Sequence, residues 1–279
     1  MLPEDAARVA ATAARFSRHT AWEPVGATPL RFDAGHPQGM VRVDGRWWIS
    51  TVDLATTSGS VLVVDDDGSL LERVPVGDDV RFHPGGLDHD GEALWIASAE
   101  YRPRSSAVVE RLATDGAGGP LRPEPAFAVD DHVGAVVRLG PDGDLVGWTW
   151  GSRRFLRWRT DGTLVADARN PGHFVDHQDG QWVGDDLVLC GGVATVVMAE
   201  GPRSLGGVGL LRASDLTMVR EAPFPHHSPA TGRAATQNPI SAEVVEDRMV
   251  VHLLPDDGAG TLLRYATPLV AQREERASH

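Results

Sequence analysis

The sequence holds a single cysteine, Cys190, so no internal disulfide can form, and a reducing cytoplasm is the expected setting. No apolar run approaches the ~20 residues of a membrane-spanning helix. The start, MLPEDAARVAATAARFSRH, has neither the basic opening nor the apolar stretch of a signal peptide. Basic residues are in deficit: 26 Lys and Arg stand against 39 Asp and Glu, for a net charge of −13. Nucleic acid and anionic membrane both need a basic face, so neither is an expected partner and a small molecule is. A Gly-x-Ser-x-Gly elbow, a phosphate-binding Gly-Lys-Ser/Thr loop and a dinucleotide fingerprint are also missing. Asp65 to Asp67 lacks the glutamate of a calcium loop and reads as a hairpin turn.

What the sequence does have is a repeat. His36, His83, His132 and His177 are separated by 47, 49 and 45 residues, and open the phrases HPQGMVRVDG, HPGGLDHDG, HVGAVVRLGPDG and HQDGQWVGDD. A fifth copy, QNPISAEVVED, puts Gln237 and Asn238 where the histidine would be. Turns recur in register with them, at Asp44-Gly45, Asp90-Gly91 and Asp142-Gly143, and at Asp66-Asp67-Gly68, Thr114-Asp115-Gly116 and Thr160-Asp161-Gly162. A period of 40–50 residues carrying four short strands is that of a β-propeller blade.

The expected fold is therefore all-β, a five-bladed propeller, with six blades as the alternative. The last copy offers only ISAEVV, RMVVHLL and TLLRYAT, and WEPVGATPLRF near the start parallels ERVPVGDDVRF. The segment Trp22 to Pro29 is thus expected to supply the missing strand and to close the ring, leaving no open edge. Residues 1–20 read as an extension with a short helix, from Pro3, Glu4 and Asp5 early and Arg15 and Arg18 late. Residues 21–270 read as one propeller domain and 271–279 as a flexible tail.

In a propeller the loop before each inner strand and the end of the next strand open on one face. That rim would gather the four histidines with Asp53 and Glu100, each 17 residues after its histidine, and Trp150, 18 after His132. Four neutral imidazoles converging there would suit Zn, Fe, Mn or Cu, with Asp131 and Asp176 orienting their rings. Acid–base work by the imidazoles, with Glu100, Asp53 and His132 as catalytic groups, is open as well. So is a structural role for the repeated histidines within their own blades. Tyr101, Arg102, Arg104, Arg153 and Arg154 stand beside this mouth, and guanidinium groups suit an anionic or carbonyl-bearing ligand; the alternative is plain surface ion pairing. His226 and His227, in FPHHSPATG, are placed to cover the mouth as a lid. His89 is expected on the opposite face in solvent, His252 packed in a strand, and Cys190 buried and inert.

The phrases HPGGLDHDGEALWIASAEYRPRSSAVV, DDHVGAVV, GWTWGSRRF, FVDHQDG and TQNPISAE resemble an uncharacterised β-propeller family of bacteria and fungi, over about His36 to Tyr265. The resemblance implies the fold and a rim of His83, Glu100, Arg102, His132, Arg153, His177, Gln178 and Asn238, and implies no reaction. Analogy reaches to five-bladed arabinanase-like glycosidases, which use carboxylates round the channel but whose motifs are not matched. It reaches also to carotenoid-cleaving oxygenases, which hold iron with one histidine from each of four blades but are larger. The leading expectation is a metal-assisted hydrolase, lyase or cyclase with His36, His83, His132 and His177 as ligands. The rivals are a non-enzymatic binding or interaction propeller, with Tyr101 and Trp150 stacking the ligand, and a metal-free carboxylate glycosidase.

Overall fold

The computed structural model describes residues 2–115, 120–172 and 174–270. The 271–279 tail and Gly116 of one expected turn lie outside them. Helix α1 (Pro3–Ala13) begins on Pro3, with Glu4 and Asp5 in its first turn, where the macrodipole favours them. Its apolar side, including Val9 and Ala13, is buried against the sheet cluster that holds Phe224, Ile240 and Met249.

Strand β1 (Glu23–Pro29) comes next, and then the repeat. β2 (His36–Val43), β3 (Arg46–Asp53), β4 (Ser58–Val64) and β5 (Leu70–Val76) form one antiparallel sheet in that order. β6 (His83–His89), β7 (Ala93–Ala99), β8 (Ala107–Ala113) and β9 (Glu124–Val129) form a second meander, and β10 (Val133–Arg138), β11 (Leu145–Thr149), β12 (Arg154–Trp158) and β13 (Leu164–Arg169) a third. A single parallel pairing of Ala135 with Gly86 joins these two meanders into one eight-stranded sheet. β14 (Asp176–Trp182), β15 (Leu187–Met198), β16 (Gly201–Arg212) and β17 (Thr217–Phe224) make the next sheet. The last runs in the order β1, β20 (Thr261–Pro268), β19 (Arg248–Leu253), β18 (Ile240–Val245). The N-terminal strand therefore closes the last sheet, as its sequence implied, with Glu23 opposite Ala266 and Pro29 opposite Thr261. Among the described residues, no helix is long and apolar enough to cross a membrane.

Burial grades from inner to outer strand. β6 and β7 are buried along almost their whole length, whereas β9 and β13 are exposed at most positions. Apolar side chains fill the space between neighbouring sheets, as where Val61 and Val63 of β4 meet Leu94, Ile96 and Leu112 of β7 and β8. The inner strands come together closely because glycines face one another. A Cβ on Gly39 would lie 2.6 Å from the Gly86 Cα, and one on Gly86 would lie 2.6 Å from Asp179 Oδ1.

Asp179, at the middle of β14, ties the inner strands together. Its Oδ2 accepts the backbone N–H groups of Met40 (3.0 Å) and Ile240 (3.1 Å), from the sheets on either side of the ring closure. The group is fully enclosed, and burial pushes its pKa well above the usual value of an aspartate. Cavities open on either side of it. One is bordered by His177 and the starts of the inner strands, the other by Gln181 and their ends.

Candidate functional site

The cavity at the strand starts is small, about 140 Å³, and is lined by His36, Gln38, His83, Tyr101, His132, Thr149, Trp150, Asp176, His177 and Gln178. At its heart is an aromatic cluster. The His83 ring lies 4.7 Å from Tyr101 and 5.4 Å from His132, centroid to centroid, and Trp150 is 4.8 Å from His132 and 5.6 Å from Tyr101.

Each member is held by local chemistry. Tyr101 opens the loop between β7 and β8. That loop is pinned by the Glu100 carboxylate, which accepts the Ser106 N–H and hydroxyl and pairs with Arg102 at 2.7 Å. Trp150 begins a one-turn 3₁₀ helix, and its carbonyl accepts Arg153 Nε at 2.9 Å. Arg153 in turn bonds Asp131, whose Oδ1 also takes the His132 backbone N–H at 2.8 Å. One carboxylate thus positions both the histidine and, through arginine, the tryptophan.

The two imidazoles are both buried and neutral. Burial, assisted by the neighbouring His132 and His36, pushes His83 down to about 3, and its Nδ1 has no hydrogen-bond partner. His132 is lowered chiefly by burial too, against the pull of the Glu100 carbonyl, which lies 2.9 Å from Nδ1. A carbonyl only accepts, so Nδ1 carries the hydrogen and Nε2 is the basic nitrogen. Asp176 adds a carboxyl whose pKa burial raises, 3.3 Å from the Ser152 hydroxyl.

All four histidines border the cavity, but two of them are engaged by partners of their own. His36 turns to Asp257, with Nδ1 2.7 Å from Oδ1, and Asp257 also binds Arg233. His177 points its fully buried ring into its own sheet, 3.4 Å from Glu221 Oε1 and against the space left by Gly209. Among the described residues, no group of three or more His, Cys, Asp or Glu side chains is arranged to hold a metal ion. A register shift follows the histidine in each of the four repeats, between Pro37 and Gly39, Pro84 and Leu87, Val133 and Ala135, and His177 and Asp179. Such bulges re-aim side chains. Equal spacing in sequence thus brings the four histidines to one cavity, where among the described residues His83 and His132 are the pair in ring contact.

Other expected residues have local roles. Asp53 is held below its usual range by the Thr56 side chain and by the Thr56 and Ala55 N–H groups it accepts, and it lines no part of the cavity. The Glu100 carboxylate, held down chiefly by Ser106, belongs to its loop, and only its carbonyl reaches His132. Arg154 pairs with Asp167 and Asp131, so Arg102, Arg153 and Arg154 are all committed to carboxylates. Arg104 is exposed, with φ of +50°. Gln178 does line the cavity, while Asn238 bonds the Pro255 carbonyl instead. The expected lid is tied down: His226 binds the Trp22 carbonyl, and Ser228 and Thr231 bond Asp256. His89 is half-buried against Thr114 rather than in open solvent. Gln38, buried beside His36, and Thr149 are cavity residues that went unremarked in the sequence, although Gln38 lies in the first repeated phrase.

Fold and cavity together define a propeller-like all-β protein with a histidine- and aromatic-lined pocket at one end of its axis. The chain belongs to a family of unknown function, DUF6454, whose model matches residues 6–270. No protein of curated function matches its sequence. Among solved structures it is similar to a bifunctional GH43-CE protein of Bacteroides eggerthii (TM-score 0.57, 10% identity, 91% of this chain and 35% of that one). It is also similar to the PQQ-bound aldose sugar dehydrogenase of Streptomyces coelicolor (0.51, 11%, 90% and 99%). A third match, to the calcium-binding protein regucalcin of Agrobacterium tumefaciens, has a TM-score of 0.36 at 18% identity and covers 60% of this chain and 52% of that one. At these identities the likeness is one of fold.

Proposed function

We propose that this protein is a five-bladed propeller enzyme that carries out proton-transfer chemistry, of the hydrolase, lyase or cyclase kind, on a small carbonyl-bearing molecule. The blade count rests on reading the eight-stranded sheet as two meanders joined only by the Ala135–Gly86 pairing. The observation that carries the chemistry is the pairing of two buried neutral imidazoles, His83 and His132, in one aromatic-walled cavity. Neutral imidazole is the form that accepts a proton, and exclusion of water keeps a bound substrate next to it. In this reading His132 Nε2 takes the proton, because Nδ1 is anchored on the Glu100 carbonyl. Asp176, a carboxyl raised by burial, returns one. Tyr101 and Trp150 stack the substrate, and Gln178 and the unpartnered His83 Nδ1 supply its polar contacts. The nearby arginines, already bound to carboxylates, favour an uncharged carbonyl compound over a free anion.

The test is a thermal-shift screen of small lactones, esters, amides and keto compounds, followed by NMR for turnover, with His83→Gln and His132→Gln beside the wild type. Hits that both variants lose support the proposal. A wild type that no compound stabilises through these histidines would sink it. Elemental analysis of protein purified without a nickel column belongs to the same experiment. Near-stoichiometric Zn, Fe, Mn or Cu that disappears in a folded His132→Ala variant would replace direct acid–base chemistry by a metal-assisted one. Two histidines fall one short of the three protein ligands of a catalytic zinc, which is why direct proton transfer is preferred.

A further inference from the structure

The other end of the axis holds a larger cavity, about 370 Å³, bordered by the last residues of the inner strands and by Asp5 of α1. Its wall is built from buried groups. Trp47 packs on the His252 ring at 4.6 Å and lies under the Arg42 guanidinium at 5.6 Å. Asp88, Ser241, Trp47 and His252 are each at least nine-tenths buried. A neighbouring hollow shares Arg42, Trp47, Glu243 and His252, so these four residues border both spaces.

The polar atoms of this wall are mismatched in one direction. Glu243 accepts from His252 Nε2 at 2.8 Å, and that bond holds its carboxyl below the usual range. An ionised carboxylate only accepts, so Nε2 carries a ring hydrogen, and Nδ1 is the ring nitrogen left to meet a ligand. That Nδ1 is buried and has no partner. Arg42 is already engaged by both oxygens of Asp66 and lies 3.7 Å from Glu243, and Arg264 and Arg248 border the neighbouring hollow. Gln181 spends its oxygen on the Ala242 N–H and the Ser241 hydroxyl. What is left over at this face is His252 Nδ1 and the remaining lone pairs of Glu243, backed by Trp47. An aromatic wall beside a carboxylate and an unpartnered ring nitrogen suits a donor-rich cation.

We propose that this cavity is a second ligand site, separate from the histidine pocket, and that it takes a primary ammonium group. Glu243 and His252 would accept its hydrogens, and Trp47 would lie against its carbon chain. The inference does not depend on the reaction proposed for the other cavity.

The test is titration calorimetry of the full chain at pH 7.5 and 150 mM NaCl with putrescine, spermidine and Nα-acetyl-lysine methylamide. Glucose and glutamate serve as controls. Saturable 1:1 binding of at least one amine, weakened tenfold or more by Glu243→Gln and unchanged by His83→Gln, is the expected result. Preference for the two free amines assigns the site to a metabolite, and preference for the lysine mimic assigns it to a protein side chain. A second readout guards against a variant that fails to fold. In wild-type protein the amine should shift the ring ¹⁵N signals of His252 and leave those of His83 and His132 in place. Absence of binding, equal binding of glucose, or binding that moves no His252 signal would overturn the assignment.

Discussion

Glu100 reaches His132 through its main-chain carbonyl, 2.9 Å from Nδ1, while its carboxylate faces Ser106 and Arg102. The residue thus sets the tautomer of the histidine without its charge taking part. Its acidity and its use are different things.

That division predicts a contrast between two conservative variants. His132→Gln should lower turnover of any substrate found by screening by about 10²- to 10⁴-fold, the usual contribution of a general base. Glu100→Gln keeps the carbonyl and should stay within about threefold of wild type by the same scale. Its effect should appear as faster amide exchange at Tyr101 to Ser106, measured by hydrogen–deuterium exchange.

His83 should remain neutral far into the acid range. Its folded pKa, about 3, lies below the ~6.5 of an unfolded histidine, so the unfolded chain takes up the proton first. The stability associated with the neutral ring is complete above pH ~6.5 and is lost as pH falls toward 3, at up to about 1.4 kcal/mol per unit. Urea unfolding at pH 7, 6, 5 and 4 checks this. The gap between wild type and His83→Gln should close, or reverse, as the solution becomes acid, and ring ¹⁵N shifts should show no titration above pH 5.

Asp88 should act with the opposite sign. Burial, against backbone hydrogen bonds from His89, Trp182 and Arg138, raises it to about 7. An unfolded aspartate releases its proton near 3.9. The folded state therefore holds a proton that the unfolded state has lost, and stability declines as pH rises from about 4 to 7. Asp88→Asn, which has no proton to lose, should remove that decline, and the two unfolding curves should diverge in favour of the variant toward neutral pH.

Two glycines separate crowding from backbone strain. A methyl at Gly86 would meet Asp179 Oδ1 at 2.6 Å and Ala135 Cβ at 2.7 Å where the inner strands come together. Overpacking of that kind costs about 1–3 kcal/mol, and here it strikes the group that ties the inner strands. Gly45, at φ +74° in a hairpin turn, has open space around it, so alanine there meets only the left-handed penalty of about 1 kcal/mol. Thermal melts should rank Gly86→Ala below Gly45→Ala, and both below wild type.

The architecture could be read because it is written in repeats that survive averaging over a blade. The turn residues, the histidine spacing and the likeness of WEPVGATPLRF to ERVPVGDDVRF all act through backbone geometry that each repeat must satisfy. Tyr101, Trp150, His83 and His132 could be read as neighbours for the same reason. Side-chain direction could not. The bulge after each histidine, the Asp257 that draws His36 aside and the Gly209 and Glu221 that receive His177 lie far along the chain from the histidines they affect, or in the detail of strand register. Asp53 and Glu100 misled because short-range turn bonds to Ala55, Thr56 and Ser106 satisfy their carboxylates before the cavity can use them. Asp179 gave no periodic signal, since the other repeats place apolar residues or glycine near its position.

The pairing of β1 with β20 has a consequence for the order in which the molecule is made. Glu23 to Pro29 precedes the other described strands in the chain, and its partner, Thr261 to Pro268, follows them all. The circle can therefore not be sealed before β20 is made, and every chain halted short of it carries a first strand with nowhere to dock. Possession of β20 is thereby converted into a structural property, since a chain without it displays a free strand and an open gap.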